Sequence, residues 1–286
     1  MAATGVDPAE FRAGQKQQWD IAARGWRKWN ELIDSSASAI SERLVERAGA
    51  RPGARVLDVA AGYGEPSLTA ARAVGPEGRV VATDISAEML AYGRERAVAA
   101  GLENIEFVQS AAIDLDFPPG SFDAAVSRWG IIFDPDGEAA ADRVRSFLGS
   151  GARMAISSWG TPERVPFLSI PMRTAMQRLG VEPPPPGTPG PLSRPTPEAL
   201  GGLLEGGGFA DVEVDEAEVT FEWASADEFT TFVREIAPPI SAMIDPHPAE
   251  VQDATWGAIT EAMAEQAGAD GRIALTNLVL IASGRA

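Results

Sequence analysis

The segment RVLDVAAGYGEPSLTAARAVGPEGRVVATDISAEM, residues 55–89, holds the strongest structural pattern in the chain. An apolar run ending at Asp58 and Val59 predicts a strand, and a glycine-containing turn with a helix follows it. A second apolar run, residues 80–83, predicts another strand that ends in Asp84. Glycines between a strand and a helix let the backbone approach a ligand, and an acid at the tip of the second strand can accept hydrogen bonds from ribose hydroxyls. The segment therefore predicts a nucleotide-type site with two acids.

The spacing of the glycines distinguishes between two kinds of nucleotide site. Dinucleotide folds use G-x-G-x-x-G and place a pyrophosphate at the helix N-terminus. Here the turn reads Ala60-x-Gly62-x-Gly64, and Glu65 follows where an anionic pyrophosphate would be repelled. Asp58 also suits a cation better than a phosphate. A ligand with a ribose and a positive charge but no phosphate is favoured, and a nicotinamide or another nucleotide is the alternative.

Three segments resemble class I S-adenosylmethionine (SAM) methyltransferases. Residues 55–89 resemble their glycine-rich first motif and acidic second motif, with Ala60 in place of the first glycine. The segment NIEFVQSAAIDLDFPPGSFDAAVSRWGIIFDPD, residues 104–136, resembles the third and fourth motifs of the ubiquinone/menaquinone-type group. LLEGGGFADVEV, residues 203–214, resembles a late helix–strand element of that group. The likeness runs from Trp19 to the last predicted strand.

The resemblance implies an α/β fold with a Rossmann-like, seven-stranded, mostly parallel sheet, helices on both faces and an antiparallel last strand. The alternation of strands and helices independently predicts a parallel sheet. A second helix is predicted over residues 37–48. We expect an N-terminal helical cap (1–50), a SAM-binding core (51–160), a lid helix with a Pro-rich loop (161–196), and completion of the core sheet (197–286) with an inserted helical cap (225–267).

The resemblance also implies roles for individual residues. Asp58 would hold the methionine amine of SAM, partly through water, and Asp84 would take the ribose hydroxyls. Ala111 stands where the family usually has an acid, so Asp114 or backbone groups would contact the adenine, or SAM would bind more weakly. Met89 could equally be core filler. The cofactor-binding residues predicted in this way are Asp58, Ala60, Gly62, Gly64, Asp84, Ile85, Met89, Ala111, Ala112, Ile113 and Ser127.

Four tryptophans predict a substrate pocket. Trp129 and Trp159 end strands at the edge where α/β folds bind ligands, and Trp26 and Trp29 belong to the N-terminal helices. Aromatic walls suit flat or apolar substrates, and their faces stabilise cations. For the two helical residues, packing against the sheet is the alternative interpretation.

His247 is the only histidine and the tentative catalytic residue. Its ordinary pKa of about 6.5 would suit removal of a proton from a phenol or an enol. Its position between prolines is also typical of a surface loop. Asp134 and Asp136 are alternative bases, and both could instead cap the following helix. A base is needed only if the acceptor loses a proton during attack.

The composition narrows the partners. The net charge of −17 disfavours nucleic acids and anionic membranes, and no apolar run is long enough for a transmembrane helix. The chain has no cysteine and the N-terminus shows no secretory signal, so we predict a cytoplasmic protein without disulfides or a metal site.

These observations predict a SAM-dependent methyltransferase that releases S-adenosylhomocysteine and acts on a small molecule as a monomer or homodimer. An aromatic, quinone-like or specialised metabolite is the expected acceptor. The alternatives are a SAM-fold enzyme that catalyses another reaction, such as a cyclisation, and a SAM-fold binding protein without turnover.

Overall fold

The computed structural model describes residues 7–185 and 187–286. Apolar runs form one sheet in the order β3-β2-β1-β4-β5-β7-β6, in which β7 is antiparallel to both of its neighbours and the other pairs are parallel. The predicted seven-stranded, Rossmann-like fold is confirmed. The strands are β1 (Arg55–Val59), β2 (Arg79–Asp84), β3 (Ile105–Gln109), β4 (Phe122–Arg128), β5 (Leu148–Trp159), β6 (Ala210–Trp223) and β7 (Ile273–Arg285).

Helices cover both faces of the sheet. One core contains apolar side chains of α2, α3 and α4, and the opposite core contains those of α5 and α7. The helices are α1 (Pro8–Lys28), α2 (Asn30–Arg47), α3 (Ser67–Val74), α4 (Ala87–Ala99), α5 (Gly137–Arg145), α6 (Pro166–Leu179), α7 (Pro197–Gly206), α8 (Ala226–Ile236), α9 (Pro238–Ile244) and α10 (Ala249–Ala264).

The strand order creates a crevice at one edge of the sheet. From β1 the chain runs outward to β2 and β3, whereas from β4 it runs the other way to β5. Ligands of such sheets bind where the order reverses, outside the carboxyl ends of the strands. Asp58 of β1 pairs with Val126 of β4, so the residues that follow both strands flank this crevice.

Two helical segments lie over the crevice. α1 packs against α4 and α8, and α8 to α10 are inserted between β6 and β7. Within the described part of the chain, no helix combines the length and the apolar character that a membrane crossing requires.

The boundary between the first two helices differs from the sequence prediction. We expected a helix over 37–48, but α2 begins at Asn30. Trp29 leaves helical geometry (φ −98°, ψ 10°), and the side-chain amide of Asn30 donates to the Arg27 carbonyl at 2.6 Å. A local hydrogen bond from a side chain competes with the backbone hydrogen bonds of a helix, so the helix is interrupted there. The stretch after Trp29 has no comparable break and stays helical to Arg47.

Candidate active site

A cavity of about 1400 Å³, its open mouth included, occupies the crevice. We call one side of it the glycine wall: Val59 to Tyr63, Glu65, Asp84, Ile85, Met89, and Ser110 to Ala112. A second set of lining residues, which we call the aromatic wall, consists of Trp26, Trp129, Trp159, Phe167, Phe221 and Phe232.

The glycine wall is a tight turn fixed by backbone hydrogen bonds. The Ala61 N–H donates to the Thr83 carbonyl at 2.8 Å, which ties the turn to the end of β2. Gly62 (φ 53°) and Gly64 (φ 110°) adopt positive φ angles that glycine tolerates without steric cost. Gly64 lies outside the cavity lining. The position that a Cβ of this residue would occupy is next to Gly93 of α4.

Asp84 joins the turn to the end of β2. Its Oδ2 accepts from the Gly62 N–H at 2.9 Å and its Oδ1 accepts from the Ser86 N–H at 2.8 Å. Burial raises the pKa of Asp84 to about 6, although these backbone bonds act in the opposite direction. Each carboxylate oxygen keeps a second lone pair, so Asp84 can still accept hydrogen bonds from a ligand in the cavity.

Asp58 lies beneath the turn rather than in the cavity lining. It is fully buried, and its Oδ2 accepts from the Ser67 hydroxyl at 2.5 Å. Its Oδ1 is buried without a hydrogen-bond partner among the described residues. Burial raises the pKa of Asp58 to about 7, with the Ser67 bond and the charge of Arg128 acting the other way. An open acceptor of this kind fits a ligand that brings a donor to it.

Ala60 has a steric partner that sequence reasoning missed. Its φ angle of 58° lies in the left-handed region that disfavours side chains, at the position of the first motif glycine. A Cβ added at Gly130 would lie 2.4 Å from the Ala60 Cβ. The glycine after Trp129 therefore leaves room for the methyl group that replaces a glycine in the turn.

The far end of the glycine wall is apolar. Ile85, Met89, Ala111 and Ala112 line it, whereas Ile113 lies in the following 3-10 turn outside the lining. Met89 is buried at 3% exposure and also belongs to the core beneath. An adenine-sized ring would meet mainly aliphatic surface and backbone groups here.

The aromatic wall is centred on two stacked indoles. Trp129 and Trp159 lie 4.3 Å apart with an interplanar angle of 8°. Trp129 has a strained φ of 53°, and its backbone N–H donates to the Ser157 hydroxyl at 3.1 Å. Ser127 is buried and accepts from the Ile131 N–H at 3.0 Å, so its hydroxyl supports this turn from below. Strain of this kind concentrates at ligand-binding sites.

Three phenylalanines extend the wall and were not predicted from sequence. Phe167 packs edge-on against Trp159 at 4.8 Å, and Phe221 lies 5.2 Å from Phe167. Phe232 of α8 lies 6.4 Å from Phe221. Their spacing in the sequence is that of ordinary core residues, so no local signal distinguishes them.

Helix α1 closes the cavity mouth. Arg12 forms an ion pair with Asp134 at 3.1 Å, and the Gln15 amide donates to the Phe133 carbonyl at 2.9 Å. The Trp26 indole N–H donates to the Ile236 carbonyl at 3.1 Å, which ties α1 to α8. Helix α1 thus contacts both the turn after β4 and the end of α8. Asp136 caps α5 through the Ala139 N–H.

Two further predicted residues, His247 and Trp29, do not line the cavity. His247 is in the loop between α9 and α10, half-buried, with its carbonyl accepting from the Gln252 side chain. Trp29 packs edge-on against Phe232 at 5.5 Å, and its indole N–H donates to Glu235 outside the lining. Neither side chain is brought to the stacked indoles.

The chain matches known methyltransferases. Residues 56–151 match the methyltransferase domain family. The ubiquinone/menaquinone biosynthesis C-methyltransferase of Hahella chejuensis is 34% identical over 146 residues, which cover 50% of this chain and 59% of that protein. The chain thus spans less than two thirds of that relative.

Two solved structures share the fold. One is phosphoethanolamine N-methyltransferase 2 of Haemonchus contortus with S-adenosylhomocysteine (TM-score 0.54, 19% identity, 98% of this chain and 60% of that chain). The other is a (4+2)-cyclase (TM-score 0.53, 17% identity, 92% of this chain and 94% of that chain). At these identities the structures show the fold alone.

Proposed function

We propose that this chain, which carries a class I SAM-dependent methyltransferase domain over residues 56–151, transfers a methyl group from SAM to a small-molecule acceptor. The observation that carries the proposal is the pairing of the glycine wall with the aromatic wall across one cavity. The glycine wall offers carboxylates and backbone groups to a cationic ligand that carries a ribose. The aromatic wall offers aromatic surface to an apolar acceptor.

The residues of the glycine wall fit SAM. Asp84 would accept the ribose hydroxyls while its bonds to Gly62 and Ser86 keep it in place. The open Oδ1 of Asp58 would accept from the amine, directly or through water. Ile85, Met89, Ala111 and Ala112 would enclose the adenine without an acidic partner, so aliphatic contact would supply most of the affinity there.

Methyl transfer from SAM requires little of the protein beyond positioning of the two reactants and exclusion of water. When bound, SAM supplies an electrophilic methyl group on a sulfonium. Trp129 and Trp159 would exclude water from the line of transfer. Holding two reactants in line converts a bimolecular step into a unimolecular one, which can contribute about 7–11 kcal/mol.

The aromatic wall favours an acceptor that is flat, largely apolar and already nucleophilic. Among the described lining residues, the carboxylates are held by other groups: Glu65 accepts from Thr69, and Asp134 is paired with Arg12. Electron-rich aromatic carbon and quinol-like acceptors meet this condition, as do some specialised metabolites. We further propose action in the cytoplasm, as a monomer or homodimer, on substrates other than nucleic acids.

A cyclisation is the second candidate. An apolar wall without a free base also suits a rearrangement that moves no proton to the protein, and a cyclase shares this fold. A binding protein without turnover is the third, and the absence of an acid at Ala111 is the feature that favours it.

The test is formation of S-adenosylhomocysteine and methylated product from SAM with a panel of quinols, phenols and indoles. We expect turnover with at least one flat acceptor, and a loss of about 100-fold or more in kcat/KM for Asp84→Ala. Asp116→Ala removes the same charge from a side chain that is 94% exposed and should keep full activity. SAM binding without any methylated product would overturn methyl transfer and favour cyclisation or simple binding.

A further inference from the structure

Arg128, at the end of β4, is a buried cation that forms no ion pair with any described residue. It is 6% exposed and lines the cavity. Its guanidinium donates to the Ser41 hydroxyl at 2.9 Å and to the Tyr63 hydroxyl at 2.8 Å, and both acceptors are neutral. Among the described residues, no carboxylate lies within 4.0 Å of it. The rings of Tyr63 and Trp129, 5.7 and 5.3 Å away, offset only part of the cost of burying the charge.

The fold places this cation beside the acid of β1. Asp58 pairs with Val126, and Arg128 is two residues further along β4, so the side chains of Asp58 and Arg128 lie on the same face of neighbouring strands. They do not form an ion pair, and the Oδ1 of Asp58 is open. A buried acid and a buried cation therefore lie on the same face of neighbouring strands without an ion pair between them.

We propose that Arg128 binds the carboxylate of the methionyl group of the cofactor. This inference rests on the proposed function. An α-amino acid end carries an ammonium and a carboxylate on one carbon, and it needs an anion and a cation at neighbouring positions. Asp58 and Arg128 meet that need, and Glu65 and Asp84 in the same wall would repel the carboxylate if no cation were present.

Tyr63 holds the guanidinium in place. Its hydroxyl accepts from Arg128 and donates to Asp34 of α2 at 2.8 Å. Arg96 of α4 pairs with the same Asp34 and lies over the Tyr63 ring. The network fixes the residue between the two motif glycines, so Arg128 could also act only by positioning the turn. The experiment has to separate these two roles.

The experiment compares three ligands by calorimetry: S-adenosylhomocysteine, its decarboxylated analogue S-adenosyl-3-thiopropylamine, and methylthioadenosine. We expect the wild type to bind S-adenosylhomocysteine at least about 10-fold more tightly than the decarboxylated analogue, as a charge-assisted hydrogen bond requires. Arg128→Met should weaken S-adenosylhomocysteine by about that factor and leave the two other ligands within about twofold. Arg128→Lys should keep part of the preference, and Arg24→Met, on the exposed side of α1, should keep all of it.

Several outcomes would overturn the proposal. Equal weakening of all three ligands by Arg128→Met would assign Arg128 to positioning of the turn, and no weakening of any ligand would show that Arg128 does not contact the cofactor. If the variant does not fold, the wild type decides: a cavity without an available cation would favour the decarboxylated analogue, which keeps the ammonium and lacks the negative charge of the carboxylate. Failure of the wild type to bind methylthioadenosine and S-adenosylhomocysteine would overturn the proposed function as well, whereas binding without discrimination overturns this inference alone.

Discussion

The two walls of the cavity are built in opposite ways. The glycine wall comes from one stretch of about 60 residues, Val59 to Ala112, and its geometry depends on backbone hydrogen bonds within that stretch. The aromatic wall gathers side chains from Trp26 to Phe232, each supplied by a different helix or strand. A wall built from one local segment can preserve the binding of one ligand. A wall built from side chains of separate elements can change its specificity by substitution of one residue at a time.

We therefore expect the glycine wall to determine cofactor binding and the aromatic wall to determine acceptor specificity. Changes in the aromatic wall should alter acceptor use and leave nucleoside affinity intact, and changes in the glycine wall should do the reverse. Substitutions in each wall test this difference.

The largest expected effect is on stability, at the stacked indoles. Trp159 is 6% exposed and contacts both Trp129 and Phe167. Trp159→Ala should lower the free energy of unfolding by about 3–5 kcal/mol in urea denaturation. Trp159→Phe should cost less than about 1.5 kcal/mol.

Trp159→Phe then tests the independence of the walls. It should raise the acceptor KM about tenfold and change the Kd of S-adenosylhomocysteine by less than about twofold, because it removes only apolar contact from the acceptor side. Trp29→Phe, outside the cavity, should leave both constants unchanged. A parallel loss of nucleoside affinity in Trp159→Phe would show that the walls are coupled.

The second effect is a pH dependence of stability. Burial raises the pKa of Asp58 to about 7 from its ordinary 3.8, so between these values the folded state holds a proton that the unfolded chain has lost. That contribution to stability is present at low pH and is lost as the pH rises through about 7.

Asp58→Asn removes this titration. Between pH 5 and pH 8, the ligand-free wild type should lose about 2 kcal/mol relative to Asp58→Asn in urea denaturation. Asp58→Asn should also bind S-adenosylhomocysteine more weakly at pH 8, because the anionic acceptor for the amine is gone. Identical pH profiles of the two proteins would show that Asp58 does not titrate in this range.

The third effect concerns the strained alanine. Ala60→Gly should stabilise the chain by about 0.5–1 kcal/mol, since glycine adopts a φ of 58° without a Cβ clash. Ala61→Gly, at the neighbouring buried position with an ordinary φ, should destabilise it by about 1 kcal/mol. Thermal unfolding distinguishes the two directions. If Ala60→Gly is destabilising as well, the Ala60 methyl group contributes more by packing against Gly130 than its backbone strain costs.

An effect of about the same size is expected at the contact between α1 and α8. Trp26→Phe removes the indole donor to the Ile236 carbonyl and should cost about 1 kcal/mol of stability. We expect a modest rise in the acceptor KM, measured at saturating SAM, because α1 would close the aromatic wall less firmly. An altered Kd for S-adenosylhomocysteine with an unchanged acceptor KM would place Trp26 on the cofactor side.

The same contrast explains what the sequence could predict. The strands, the sheet and the turn around Gly62 follow from local patterns, because apolar runs and glycine spacing act within a few residues. Phe167 and Phe221 show only the periodicity of core residues. Their contact depends on the packing of a helix and a strand that are far apart in the sequence. Arg128 was visible in the SRWG segment, but a single arginine at a strand end gives no signal until its lack of an ion pair is seen. The break at Trp29 depends on one side-chain hydrogen bond.

The most direct test of the central claim is calorimetric titration of the wild type with S-adenosylhomocysteine and, separately, with NAD at pH 7.5. We expect one site for S-adenosylhomocysteine with a Kd below about 100 μM and no measurable binding of NAD, because the carboxylate of Glu65 in the cavity lining would repel a pyrophosphate. Binding of NAD, or of neither ligand, would contradict the assignment of the glycine wall to SAM.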